Sequence, residues 1–360
     1  MRNTEQCINK YFDADILGNI AVRVGRNDEI LFDVFKSRTG VVDENTLFDM
    51  ASVTKIIATT SLALLAVDQG LISPDDKVEQ YFPCPEDKSG LTIKHLLTHT
   101  MGIGHKPLNK EGNTYENIAD YILHIPGDIP IGENVLYSCP GFILLGKILE
   151  KVFGQRLDVA FSDRVAMPLG MTSTGFLPDI NHSIVSSDLV ITGSDTVIAS
   201  NDRTFINSNL SEQDRGKVND YNCRFLGGVC GNAGVFSNLT DMTAYVGMLL
   251  RHGAPLFSEK VFEEAVQNHT AGMDESRGLG FLYVDERYKQ TGDLFPAGSI
   301  GHCGHTGQSV FVDLSTGLYV IILSDATIST VKKYGREHYD EVMQMRCDLH
   351  NAVKADLKSL

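Results

Sequence analysis

The chain has 360 residues, 42% of them hydrophobic and 21% charged, a balance that suits a folded protein with a sizeable core. Its 31 basic residues against 46 acidic ones give a formal net charge of −15. Such a chain repels phosphate backbones and anionic lipid, which argues against nucleic acid and membrane surfaces as partners.

Residues 1–10 are polar and lack the apolar stretch of a secretory signal. The seven cysteines are odd in number and irregularly spaced, unlike a disulfide framework. Both features point to the cytoplasm. Ile20, Val22 and Val24 alternate with small or polar residues, residues 25–28 break the pattern, and Ile30, Phe32 and Val34 resume it. This predicts a hairpin. Residues 55–69 are apolar nearly all round and predict a buried helix stopped by Gly70. The apolar run 56–67 is too short to span a bilayer and contains Thr59, Thr60 and Ser61. Ser73-Pro74-Asp75-Asp76 has the pattern of a helix start, with a cap, a proline and acids in the first turn. Thr92 is placed to cap a short helix ending at Leu97, and residues 140–153 predict another apolar helix ended by Gly154. Residues 180–221 are polar and weakly periodic and predict a long loop region. Helices are predicted over 240–251 and 258–267, strands over 309–313 and 318–323, and a terminal helix over 331–353.

Strands near both ends pair most simply in one sheet, with the helical middle inserted. The expected fold is therefore α+β, an antiparallel β-sheet flanked by helices with an inserted, mostly helical subdomain. Within a single domain of 1–360, residues 1–60 and 225–360 belong to the sheet part and 61–224 to the helical part. A cleft between the two layers is the expected site.

Three segments carry chemistry. In Phe48-Asp49-Met50-Ala51-Ser52-Val53-Thr54-Lys55, a serine opens the buried helix and a lysine follows on the same face. A serine hydroxyl needs an adjacent base, and a lysine half-buried among apolar neighbours has a lowered pKa that suits it for the task. The Ser52 backbone N–H at the helix start is a donor for a developing oxyanion. Tyr137-Ser138-Cys139-Pro140-Gly141 precedes the next apolar helix, where a loop tyrosine beside a lysine serves as a base or relay. Gly304-His305-Thr306-Gly307-Gln308 opens a strand. There Gly307 would let a ligand approach the backbone, and the Gln308 N–H on an edge strand would be the second oxyanion donor.

Each segment alone also fits a plain structural role: a helix start with an exposed lysine, a core tyrosine, a turn between strands. Cys139 fits a small buried group filling space better than a nucleophile. His95 with His99, and His302-Cys303-Gly304-His305, invite zinc, but no complete ligand set with recognisable spacing accompanies either. No metal and no cofactor is expected. Glycines 227, 228, 231 and 234 lack the Gly-Lys-Ser/Thr of a phosphate loop and fit a close-packed turn.

Taken together and in this order, the three segments resemble the class C β-lactamase and penicillin-binding protein family of serine hydrolases. Thr46-Leu47-Phe48, His95-Leu96-Leu97-Thr98-His99-Thr100, Pro168-Leu169-Gly170-Met171 and Gly227-Gly228-Val229-Cys230-Gly231-Asn232-Ala233-Gly234 extend the resemblance over residues 20–325. It implies that Ser52 is acylated by an ester, amide or lactam carbonyl and that Lys55 and Tyr137 shuttle the proton. It also implies an oxyanion hole made by the N–H groups of Ser52 and Gln308, with Ser138, Cys139, His305, Thr306 and Gly307 on the substrate side. The choice of base between Lys55 and Tyr137 stays open, since their titrations would be coupled.

The chain departs from the lactamases at two positions. Cys139 stands where they usually carry an asparagine that bonds the substrate amide, and His305 stands where they usually carry a lysine. Both weaken antibiotic hydrolysis as a reading. The expected activity is that of an esterase or peptidase-like hydrolase on a small-molecule or peptide substrate. The alternatives are a penicillin-binding acyl acceptor or β-lactamase, and a non-catalytic member that only binds a ligand. The oligomeric state is open.

Overall fold

A computed structural model describes residues 1–14, 16–38, 40–185, 216–326 and 337–359. Residues 186–215 of the predicted loop region and 331–336 of the predicted terminal helix lie outside the described residues. In chain order the elements are α1 (Arg2–Asp13), β1 (Asn19–Arg26), β2 (Glu29–Ser37), β3 (Phe48–Asp49), and a helical rod, Ala51–Asp68, that ends in α2 (Ser61–Asp68). There follow α3 (Ile93–Leu97), α4 (Ile118–Leu123), α5 (Cys139–Phe153), α6 (Leu157–Phe161), β4 (Gly175–Phe176), α7 (Tyr221–Phe225) and β5 (Val235–Ser237). The chain closes with α8 (Leu239–Leu250), α9 (Glu259–Ala265), β6 (Leu282–Tyr283), β7 (Ile300–Cys303), β8 (Ser309–Val312), β9 (Leu318–Ser324) and α10 (Glu337–Leu357).

The two ends of the chain share one antiparallel sheet. Its order is β2-β1-β9-β8-β7-β6, and β1 joins β9 with Ile20 opposite Ser324. A mostly helical stretch is inserted between β2 and β6. A smaller sheet, β3-β5-β4, lies within it.

Both faces of the large sheet are covered, so β9 is buried along its whole length. Leu318, Val320 and Ile322 join the core that holds Ile8, Tyr11 and Phe12 of α1 and Met345, Leu349 and Val353 of α10. Their neighbours Tyr319, Ile321 and Leu323 turn to the other face, into the core that holds Met242 and Val246 of α8 and Ile56 and Ile57 of the rod. The rod is long and apolar enough to cross a membrane by composition, but 83% of it is buried inside the protein, where it serves as the central core helix.

The N-terminal helix α1 is absent from the sequence reading, although Thr4, Ile8, Tyr11 and Phe12 form its buried stripe. Ser73–Asp76 is not a helix start. Its groups close a tight turn instead, with the Ser73 N–H on Asp76 Oδ2 at 2.8 Å and the Asp75 N–H on Ser73 Oγ at 3.3 Å. Thr92 does cap α3, in a reciprocal box with His95.

Candidate active site

The rod begins with a 3₁₀ turn, Ala51–Val53, and continues as a π-turn over Lys55–Thr60 before settling into α2. Residues three apart lie on one face of a helical rod, so Ser52 and Lys55 are neighbours. Lys55 Nζ donates to Ser52 Oγ at 3.1 Å and to the Asn232 carbonyl at 2.9 Å. Tyr137, on the loop entering α5, donates its hydroxyl to Ser52 Oγ at 2.8 Å. Lys55 is fully buried, whereas Ser52 and Tyr137 are half-buried. The three residues picked from sequence thus meet at one hydroxyl.

The electrostatics differ from the expectation of a lysine with a lowered pKa. Burial does oppose the Lys55 charge, but Cys139 and Tyr137 outweigh it and raise the pKa. Cys139 Sγ lies 3.7 Å from Lys55 Nζ. Burial opposes the thiolate, yet Lys55 and a hydrogen bond from His105 lower the Cys139 pKa. Burial raises that of Tyr137, against the pull of Lys55. At rest Lys55 is an ammonium and Tyr137 a neutral phenol that donates to Ser52.

Two predicted contacts of the Tyr137 loop are structural. The Ser138 hydroxyl accepts the Gly141 N–H at 3.0 Å as the cap of α5 and donates to Met101 Sδ at 3.3 Å. It is fully buried and so engaged that it offers nothing to a substrate. Cys139 is 4% exposed and faces Lys55 instead of open space.

The third segment is corrected in three ways. β8 lies between β7 and β9, so it is not an edge strand. Gln308 precedes β8, where the β7–β8 ladder has ended, and its N–H takes no hydrogen-bond partner among the described residues. Gly307, at φ 91°, is required by close packing within the chain, since a Cβ there would lie 2.1 Å from Ser324 Oγ. Thr306 is fully buried and donates to the Asp49 carbonyl at 3.0 Å. The Gln308 side-chain amide donates to the same carbonyl. Asp49 immediately precedes Met50 and the Ser52 turn, so this double contact latches the two candidate oxyanion segments together. His305 is half-buried on the turn.

The predicted glycine turn behind Lys55 is close-packed: a Cβ on Gly231 would lie 2.0 Å from the Phe142 carbonyl. Its Gly231 carbonyl accepts the Thr59 hydroxyl at 2.6 Å, and its Asn232 carbonyl holds Lys55.

Sequence reasoning assigned no role to His99 or Arg277. His99 accepts the Ser138 N–H on Nδ1 at 3.0 Å, and its ring lies 4.5 Å from that of Tyr137. Arg277 sits 5.7 Å from the same ring and pairs with Glu275 at 2.7 Å. Burial, then Arg277 and Lys55, holds both His99 and His302 well below the usual imidazole range. The two cations make this corner hostile to a metal ion, and His95 is spent on the Thr92 cap. Elsewhere, His252, Glu259 and Glu263 converge between α8 and α9, with His252 Nδ1 3.2 Å from Glu259. The signal for His99 lay in the His95–Thr100 segment; Arg277 stands in no motif.

Residues 5–342 match the Beta-lactamase family. A "Putative D-alanyl-D-alanine carboxypeptidase" of Escherichia coli (strain K12) is 31% identical over 312 residues, covering 79% of this chain and 70% of that protein. An N-acetylmuramyl-L-alanine amidase of Bacillus subtilis (strain 168) is 28% identical, covering 80% of this chain and 70% of its own length. Among solved structures, EstCE1, a hydrolase with promiscuous acyltransferase activity, superposes with a TM-score of 0.71 at 19% identity, covering 97% of this chain and 98% of that one. A penicillin-binding protein homolog from Caulobacter crescentus gives 0.72 at 17% identity, covering 98% and 96%. These likenesses share the fold described above, and the chain belongs to the Beta-lactamase family of serine hydrolases.

Proposed function

We propose that the protein cleaves an ester or a small amide through an acyl-Ser52 intermediate, as an esterase or peptidase-like hydrolase of small-molecule or peptide substrates. The observation that carries this is the convergence of Lys55 Nζ and Tyr137 Oη on Ser52 Oγ, at 3.1 and 2.8 Å. In the active form the pair has lost one proton. As Ser52 attacks the carbonyl, its proton passes to the Lys55/Tyr137 pair, and Tyr137, the more exposed of the two, returns it to the leaving group. Water then attacks the acyl carbon by the reverse route. The unengaged Gln308 N–H and the Ser52 N–H receive the oxyanion.

The peptidase side of the reading is supported by the names of the Escherichia coli and Bacillus subtilis relatives, and the ester side by the EstCE1 fold. Lactam antibiotics fit less well, because Cys139 is buried against Lys55 and offers no amide donor to a substrate side chain. The test is steady-state turnover of a short-chain p-nitrophenyl ester, a D-amino-acid anilide and nitrocefin by wild type and Ser52→Ala. Ester or anilide turnover should fall at least ~10³-fold in the variant. Efficient nitrocefin hydrolysis would move the protein to the lactamase reading, and a long-lived penicilloyl adduct to the acyl-acceptor reading.

A further inference from the structure

Arg346 of α10 is 1% exposed, and among the described residues no carboxylate pairs with it. A buried cation without a counter-ion is costly unless hydrogen bonds and a nearby negative charge compensate it. Its partners are neutral oxygens: Nη1 donates to Gln290 Oε1 at 2.6 Å, Nη2 to the Gly304 carbonyl, and Nε to the Gly307 carbonyl at 3.4 Å. The last contact has a chemical consequence. The Gly307 carbonyl and the Gln308 N–H are the two ends of one peptide group. A cation on the oxygen orients that group and draws electron density away from the N–H, making it a stronger donor.

The rest of the turn is fixed in the same sense. Ser324 Oγ and the Ala326 N–H both hold the Thr306 carbonyl, each at 3.2 Å, and the Gly304 N–H holds the Gln308 carbonyl at 2.9 Å. The carbonyls of Gly304, Thr306, Gly307 and Gln308 are thus all tied into the protein, while the Gln308 N–H is left unclaimed. The charge that Arg346 lacks as a partner is the charge that forms on the acyl oxygen during attack.

We propose that Arg346 is a positioning residue of the oxyanion hole, which orients and polarises the Gly307–Gln308 peptide from behind and supplies a buried positive charge to the tetrahedral intermediate. The inference rests on the acyl-Ser52 reading above. It extends the site to α10.

The experiment uses the full chain as wild type, Arg346→Met, Arg346→Lys and Ser52→Ala. Competent sites are counted by exhaustive fluorophosphonate labelling, so that a partly folded preparation does not pass for a slow enzyme. Per labelled site, Arg346→Met should lower kcat on p-nitrophenyl acetate roughly 10- to 100-fold with little change in KM, a fraction of the loss seen when an oxyanion donor is removed. Affinity for phenylboronic acid, which becomes tetrahedral on serine, should fall by a similar factor, and Arg346→Lys should recover part of both. A purely structural role would reduce the number of labelled sites and leave kcat per site and boronate affinity unchanged, which would overturn the proposal. If Arg346→Met does not fold, Gln290→Leu takes its place, because it frees Nη1 and loosens the guanidinium while keeping the charge. A several-fold parallel loss in kcat and boronate affinity supports the proposal, and no loss in either overturns it. A Ser52→Ala protein as active as wild type refutes the hydrolase reading and this inference together. An inactive Ser52→Ala beside an unaffected Arg346→Met refutes this inference alone.

Discussion

Lys55, Tyr137 and Cys139 form one titrating unit, and the thiol gives it an unusual balance. Cys139 Sγ, 3.7 Å from Lys55 Nζ, is among the groups that raise the Lys55 pKa and so favour its ammonium form. Removing the thiol removes a stabiliser of the ammonium, the Lys55 pKa drops, and its neutral form appears at lower pH. The alkaline-rising limb of kcat/KM in Cys139→Ala should therefore move to lower pH than in wild type. A pH–rate profile on a p-nitrophenyl ester corrected for spontaneous hydrolysis checks this, and an upward shift would contradict it. Gly307→Ala should cost about 2–4 kcal/mol of stability, because its Cβ collides with Ser324 at a positive φ, or displace the turn and its N–H. Urea unfolding with a parallel turnover measurement reads both.

The grouping of Ser52, Lys55 and Tyr137 was legible in sequence because each sits at a helix entrance with a short, fixed spacing or a characteristic neighbour. The positions of Ser138, Thr306 and Gly307 were legible, but their use was not. A cap, a latch on the Asp49 carbonyl and a packing requirement depend on partners distant in the chain, which no local pattern encodes.

At the scale of elements, helix and strand identity followed periodicity wherever one face was buried. The β1–β2 hairpin, the β8–β9 pair, α5 and α8 all emerged close to their observed bounds. Helix α1 escapes the periodicity because its buried stripe is short and lies in a polar segment. The predicted start at Ser73 failed because the Asp76 carboxylate bonds back to the Ser73 N–H and closes the turn before a helix begins.

The tie between the terminal helices makes its own prediction. Asp356 of α10 accepts the N–H groups of Asn3 and Thr4 at 3.0 and 2.9 Å and the Thr4 hydroxyl at 2.7 Å, so α10 caps the first turn of α1. Burial opposes the Asp356 charge, but these donors hold its pKa at about 2. A carboxylate depressed in the fold stabilises it fully above the ordinary value of 3.8 and ceases to do so as pH falls through about 2. Asp356→Asn should lower stability at pH 7 by about 1–2 kcal/mol and flatten the acid limb of a stability-against-pH curve. Equal loss at pH 7 and pH 2 would contradict it.

For the whole molecule, the closing of one sheet from both ends of the chain brings the site together. Ser52 and Lys55 come from the rod after β3, Tyr137 from the inserted helices, and Gln308 from the β7–β8 turn. The strand pairs near both ends of the chain made this architecture readable, since they pair most simply in one sheet with the helical middle inserted. Arg346 was not readable, because its reach into the Gly304–Gly307 turn exists only once α10 has docked on the sheet.

The central claim, an acyl-Ser52 intermediate, is tested most directly by rapid-quench intact-mass measurement with p-nitrophenyl acetate. Wild type should gain one acetyl mass within the first turnover, located on the Ser52 peptide, and lose it as acetate is released, while Ser52→Ala stays unmodified. Turnover with no adduct on Ser52, or the same adduct on both proteins, would contradict the account.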